Sequence, residues 1–350
     1  MKNGVDITCV VPVKNGGEWL APCLDSLLYQ QFTGSFEVCI FDDGSTDETP
    51  AVIAEYASKF AGVGIPCITR RSDLSGGVGA GKNGAASLGS GRFLAFCDAD
   101  DVSGAERLQE LHRFALSLRD PDSALLGSRF SRDPPGSTER FTRWANEMSD
   151  TAMPHQIFTS HGPPVVAPTW FVARALYERV GGFKEVPKGF PEDTDFFYRA
   201  LDAEATVSKV DVDLVTYRYH VGCETFSVKE ETIWLIRLAE LERRVLGQWD
   251  SFTVWSAGKQ GKRFFKSLSP SYRSKVRAFC DVDGKKIGRG IHEEFDPETR
   301  RVTHRIPIVG IRDAQPPLII CVKQDLTQGD LENFIAEKNL VEGKDYFHFG

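Results

Sequence analysis

FEVCIFDDGSTDETPAVIAEYASKF, residues Phe36–Phe60, reads as one strand–turn–helix unit: a β-rich apolar run to Phe41, an acidic turn Asp42-Asp43-Gly44-Ser45-Thr46-Asp47, and a helical stretch Thr49–Phe60. Gly44 and Ser45 let the chain turn away from the strand end. The order repeats at Phe93–Cys97 (FLAFC), followed by Asp98-Ala99-Asp100-Asp101 and a helix over Ala105–Leu118 with Leu108, Leu111, Ala115 and Leu118 on one face. Ile7–Val13 is a further strand, Trp19–Gln30 the helix that follows it, and Cys67–Thr69 a short strand. Strands alternating with helices predict an α/β fold with a mostly parallel sheet and ligands at strand C-termini.

Residues 120–230 are less regular, with loop signals at Pro134-Pro135-Gly136 and His161-Gly162-Pro163-Pro164. Thr232–Trp249 is an amphipathic helix carrying Trp234, Leu238, Leu241 and Val245 at helical spacing. The strand pattern then restarts at Phe252–Trp255, with a Gly turn over Ala257–Gly261, a helix over Lys262–Leu268, and strands at Val276–Asp281, Ile306–Val309 and Leu318–Val322. A chain of 350 residues accommodates two domains, here residues 1–249 and 250–350. The second is a smaller Rossmann-like α/β module whose glycine fingerprint is degraded, since Ser256 stands where a first glycine is expected. A structural or RNA-facing role therefore suits it better than NAD.

Composition narrows the classes. Phe 24 and Trp 6 exclude a disordered chain, and no run of about 18 apolar residues offers a membrane span. The opening Met1–Asp6 is short and polar, and the eight cysteines contain no CxxC pair and accompany no Asn-x-Ser/Thr sequon. A reducing, cytoplasmic setting is the expectation, and no protein partner is indicated. The net charge is −7, yet Lys259–Arg289 holds ten basic residues against only Asp281 and Asp283. That segment is either a solvated face or a local phosphate-binding surface.

Four clusters supply what a nucleotide-sugar site needs. Asp42 and Asp43, at a strand end, suit a uracil imide N–H and ribose hydroxyls, or else cap the next helix. Asp98 and Asp100 fall on one side of an extended chain; such carboxylates repel unless Mg²⁺ or Mn²⁺ sits between them and a pyrophosphate, the alternative being an N-cap for the following helix. Gly76–Gly84 would allow phosphates close to the backbone with Lys82 neutralising them, and Arg70 and Arg71 stand upstream; a flexible loop and surface ion pairs are the rival readings. In Pro191-Glu192-Asp193-Thr194-Asp195 a carboxylate would serve as general base, unless Asp193 is only a helix cap. His220, closing Tyr217-Arg218-Tyr219-His220, would complete a metal shell or lie idle at the surface.

VVPVKNGGEWL, FDDGSTD, FCDAD, the Gly181–Phe183 GGF, PEDTDF and YRYH together resemble the inverting family 2 glycosyltransferases of GT-A fold, over about residues 5–225. The resemblance implies a UDP-sugar donor held by Pro12, Val13, Asp42 or Asp43, Arg71, Lys82 and Asp98. It also implies Mn²⁺ or Mg²⁺ at Asp100 and His220, and Asp193 as base. Many members have Ala-Arg-Asn-x-Gly where this chain has Gly81-Lys82-Asn83-Gly84, so the charge is kept and the guanidinium fork lost. With its tail, the chain is similar to the glycosyltransferases that act on queuosine in tRNA. That implies galactose transfer from UDP-galactose to the cyclopentenediol of queuosine at the wobble position of cytosolic tRNA-Tyr, with Lys259, Lys262, Arg263, Lys285 and Lys286 as tRNA contacts. Two competing readings are a UDP-GlcNAc-dependent β-1,3-N-acetylglucosaminyltransferase acting on β-galactose, and a non-catalytic nucleotide-sugar sensor.

Overall fold

A computed structural model describes residues 4–186, 188–296, 298–323, 327 and 329–350. The chain divides into two compact units, Met1–Asp150 with Pro163–Thr232, and Thr151–Gly162 with Ile233–Gly350.

The first unit runs β1 (Ile7–Val13), α1 (Gly17–Leu28), β2 (Phe36–Asp42), α2 (Thr49–Gly62), β3 (Cys67–Arg71), α3 (Val78–Leu88), β4 (Phe93–Phe96), β5 (Val102–Ser103), α4 (Arg107–Ser117), β6 (Ala124–Asp133), α5 (Glu139–Glu147), β7 (Phe171–Ala173), α6 (Arg174–Val180), α7 (Glu192–Asp202) and β8 (Thr206–Arg218). Its sheet has the order β3-β2-β1-β4-β7-β6-β8-β5. β3, β2, β1 and β4 are parallel; β7 is antiparallel to β4 and β6, and β8 is parallel to β6. Ile7, Cys9, Val10 and Val11 of β1 are fully enclosed, which accounts for a continuous rather than alternating apolar run. Val13 lies opposite Asp42 and Val10 opposite Phe96, so the C-termini of β1, β2 and β4 bring Pro12-Val13, Asp42-Asp43 and Asp98-Asp100 to one edge.

The glycine-rich segment, which the sequence offers as a phosphate approach or a flexible loop, is mostly helical. From Val78 onward it is helix α3, and its glycines serve packing. A Cβ on Gly79 would strike the Lys184 carbonyl, one on Gly84 would meet the Phe41 ring, and one on Gly81 would crowd Pro12. Gly77, at φ +90°, makes the turn into the helix.

The second unit takes most of α8 (Glu230–Arg244), then β9 (Phe252–Trp255), α9 (Lys259–Ser267), α10 (Pro270–Arg273), β10 (Val276–Asp281), α11 (Gly284–Ile287), β11 (Ile291–Phe295), β12 (Val302–Gly310), β13 (Leu318–Ile320), α12 (Asp330–Glu337) and β14 (Tyr346–His348). α8 precedes the boundary expected at Asp250, and from Ile233 onward it lies in the second unit, where Trp234 packs edge-on against Phe349. The sheet order is β11-β12-β10-β9-β13-β14, parallel from β12 to β14 with β11 antiparallel on its edge. Parallel strands wound outward in both directions from a central first strand are the Rossmann arrangement. Its acidic strand end is occupied by the chain itself: Asp281 accepts from the Ala257 and Asp283 amides and from Lys286 Nζ at 2.9–3.0 Å. Ser256 is at φ +129°, and Gly261 packs so closely on the Ser256 carbonyl that no side chain fits there.

Candidate functional site

The two carboxylates at the end of β2 have different fates. Asp43 accepts from Ser75 Oγ at 2.6 Å and from the Gly76 and Gly77 amides at 2.8 and 3.0 Å, so it anchors the entry to α3. Asp42 is buried and accepts through Oδ1 from the Ser45 amide at 2.8 Å. Its Oδ2 makes no hydrogen bond and lies 3.5 Å from Arg71 Nε, while Arg71 Nη2 donates to the Ser45 carbonyl at 2.7 Å. A buried acceptor with an open lone pair is costly unless a donor reaches it.

After β4 the chain does not stay extended. The Asp101 amide donates to the Asp98 carbonyl at 3.0 Å, and this tight turn sends Asp98 and Asp100 toward different partners instead of one side. Asp98 faces Lys82. The Lys82 side chain is buried, and Nζ donates to Glu192 Oε1 at 2.8 Å; Asp98 and Asp193 add further negative charge around it. Burial alone would lower the lysine pKa, but the three carboxylates reverse that and hold it protonated. Burial raises the pKa of Asp98, with Lys82 opposing and Asp100 and Glu192 reinforcing the rise.

Asp193 sits in the first turn of α7, beside Glu192. Its Oδ1 accepts from the Thr194 amide at 2.6 Å and from Thr194 Oγ1 at 3.2 Å; it is thus not the helix cap, which falls at Pro191. Burial, reinforced by the Glu192 charge and offset by Lys82 and the Thr194 amide, brings its carboxyl up to about 6. α7 is held from behind by Phe196, whose ring stacks on Phe183 at 4.5 Å and packs near Trp170 at 5.6 Å. A carboxylate kept rigid with a pKa near neutrality is suited to taking a proton.

Asp100 meets His220, with Oδ2 and Nε2 3.0 Å apart. The imidazole stacks on Trp19 at 4.7 Å between centroids, its Nδ1 accepts from the Gly222 amide at 3.1 Å, and Arg218 Nη1 donates to the Asp100 carbonyl at 3.0 Å. Asp101 Oδ1 accepts the Arg218 amide at 2.8 Å, tying the β4 turn to the end of β8. Asp100, His220 and Cys223 each present a ligand atom within 4.8 Å of the others. Carboxylate oxygen and imidazole nitrogen suit Mn²⁺ or Mg²⁺ with water completing the shell, so Asp100 and His220 fit such an ion once the ring proton moves from Nε2 to Nδ1 and the Gly222 contact is given up. The Cys223 thiol is the weaker member: it accepts the His220 amide, and burial raises its pKa.

The structure therefore gathers Lys82, Asp98 and Asp193 into one cluster and Asp100 with His220 beside it. It keeps Asp42 and Arg71 at the neighbouring strand end and diverts Asp43 into a turn. Sequence reasoning missed Glu192, Trp19, Asp101 and Cys223. The signals were present in Glu192 preceding Asp193 and in Cys223 three residues past His220. In the second unit Lys259 and Lys285 are exposed and Lys262 is half-buried. Arg263 instead lies 4.0 Å over the Trp234 ring, and Lys286 is ion-paired to Asp281.

Residues 8–181 match the protein family described as Glycosyl transferase family 2. The chain is 34% identical over 110 residues to a poly(ribitol-phosphate) beta-glucosyltransferase of Bacillus spizizenii, covering 31% of this chain and 17% of that protein. It is 32% identical over 106 residues to the poly(ribitol-phosphate) beta-N-acetylglucosaminyltransferase TarS of Staphylococcus aureus, covering 30% and 18%. The matched stretch is thus less than a fifth of either relative's length. In three dimensions it is similar to S. aureus TarS 1-349 in complex with UDP-GlcNAc, with TM-score 0.52, 20% identity, and 75% and 70% of the two chains covered. It is also similar to the mannosyltransferase PcManGT of Pyrobaculum calidifontis in complex with GDP-Man and Mn²⁺, with TM-score 0.51, 18% identity, and 69% and 65% covered. The shared architecture is the GT-A fold.

Proposed function

Residues 8–181 form a family 2 glycosyltransferase domain, and from that premise we propose that the chain is an inverting, UDP-sugar-dependent glycosyltransferase. The observation that carries this reading is the buried Lys82–Glu192 pair, which places Asp98 and Asp193 around one cation with Asp193 near neutrality. In the proposed step the acceptor oxygen attacks the anomeric carbon and its proton passes to an Asp193 oxygen. The bond from that carbon to the β-phosphate oxygen breaks, and its electron pair leaves with UDP. Asp42 Oδ2, with its open lone pair, would accept the uracil imide N–H, and Lys82 would keep the carboxylate cluster from repelling the donor phosphates. A divalent ion on Asp100 and His220 would offset charge on the departing pyrophosphate. Single displacement on an α-linked nucleotide sugar gives a β-linkage, the outcome printed in the names of both relatives.

The finer proposal is galactose as the sugar and the queuosine cyclopentenediol in tRNA as the acceptor. Exposed Lys259 and Lys285, which have no ion-pair partner among the described residues, support a polyanionic acceptor. The test is transfer of radiolabelled sugar from UDP-galactose, with UDP-GlcNAc in parallel and Mn²⁺ present, into tRNA from queuine-fed and queuine-starved cells. Galactose label confined to the queuine-fed tRNA is the expected result. Label from UDP-GlcNAc only, or equal label in both tRNAs, would overturn the donor or the acceptor assignment.

A further inference from the structure

Arg132 takes no part in the chemistry above, yet its side chain is enclosed, with the residue 9% exposed, and it has no carboxylate partner among the described residues. β6 and β8 pair with Arg132 opposite Tyr217 and Asp133 opposite Arg218, which places it beside the strand end leading to His220. The guanidinium carbon lies 3.8 Å from the Tyr217 ring centroid, 5.3 Å from Phe130, 5.4 Å from Phe141 and 5.8 Å from Tyr219. Ring faces attract the charge but leave its N–H groups without proper acceptors, and Nε and Nη1 are buried without a hydrogen bond. The remaining nitrogen, Nη2, also lacks a partner among the described residues but is not enclosed, so it is the guanidinium's outlet toward solvent.

An aromatic pair begins beside the guanidinium, with Tyr219 the outermost of the four rings around it. Tyr219 is 40% and Phe226 58% exposed, and their rings meet edge-to-face at 5.7 Å, with Tyr219 adjoining His220 in the chain. An exposed ring beside a cation without a carboxylate partner, with a second exposed ring against the first, matches a ligand that carries a planar ring and a phosphate together: the rings take the base by stacking, the guanidinium the anion.

We propose that Arg132, Tyr219 and Phe226 form the acceptor subsite, holding a nucleobase of a single-stranded RNA segment on the two rings and an adjacent phosphate at Arg132. The proposal rests on the RNA-acceptor reading above and specifies where the acceptor binds. It is tested by fluorescence anisotropy of a labelled tRNA-Tyr anticodon stem–loop over a range of salt concentrations, with UDP binding as the check that each variant is folded. Phe226→Ala weakens RNA binding about tenfold, through lost stacking, with the salt slope unchanged. Arg132→Gln lowers the slope of log affinity against log salt by about 0.7, and Arg132→Lys restores it. If wild-type protein binds the RNA but Phe226→Ala binds equally well and Arg132→Gln keeps the full slope, the subsite is overturned while the RNA reading stands. If wild-type protein shows no RNA affinity, both fall. Should Arg132→Gln fail to bind UDP, the Phe226→Ala and Arg132→Lys results decide.

Discussion

Lys82 is the residue whose removal the site should tolerate least. Its ammonium is buried against Glu192 and surrounded by Asp98 and Asp193, so Lys82→Met leaves those carboxylates without a counter-charge. The expected loss is about 3 kcal/mol of folding stability, read by denaturant unfolding. In the proposed mechanism the pH dependence of transfer belongs to Asp193. A base acts deprotonated, and burial with the Glu192 charge has brought this carboxyl up to about 6. Transfer should therefore fall as pH drops through about 6 and level off above it, and log kcat/KM against pH checks this. A profile still flat at pH 5 would remove Asp193 from the proton path. The PEDTD run pointed to Asp193, but no local signal shows Glu192 meeting Lys82, because the two are 110 residues apart in the chain.

At the scale of elements, α3 shows what pattern reading gains and loses. Glycines at 76, 77, 79, 81 and 84 suggest a loop because glycine disfavours helix interiors. The helix forms regardless, since only small residues let it approach Lys184, Pro12 and Phe41. Gly79→Ala should destabilise by about 2 kcal/mol, because its methyl meets a carbonyl rather than a movable side chain. Gly62→Ala, in α2 with open space around it, should instead stabilise by about 0.5 kcal/mol; paired thermal melts of the two variants decide. The strands β1, β2, β4, β9 and β10 are legible because each is a short, mostly apolar run with at most two polar residues. β6 is not, since Arg129, Ser131, Arg132 and Asp133 interrupt its apolar pattern, and three of the four rings that bury Arg132, those of Phe141, Tyr217 and Tyr219, come from outside the strand.

For the whole molecule, two α/β units on one chain could be read from the restart of the strand pattern near Phe252. The order of the second sheet could not, because it depends on which strand each helix crosses to. The basic segment is likewise only partly available to a ligand. Arg263 and Lys286 serve internal contacts, whereas Lys259, Lys262 and Lys285 have no carboxylate partner among the described residues. On the proposal of an RNA acceptor, changing those three to Glu should reduce tRNA affinity and its salt dependence together, and titration at several salt concentrations measures both. Lys286→Glu, by contrast, places a carboxylate against buried Asp281 and should act through stability, seen as a lower melting temperature.

The most direct test of the catalytic account is Asp193→Asn, with UDP binding in Mn²⁺ followed by calorimetry and sugar transfer from UDP-galactose followed in parallel. The account predicts UDP affinity close to wild type with transfer reduced about a thousandfold, the range expected for loss of a positioned base. Wild-type transfer in this variant would contradict it.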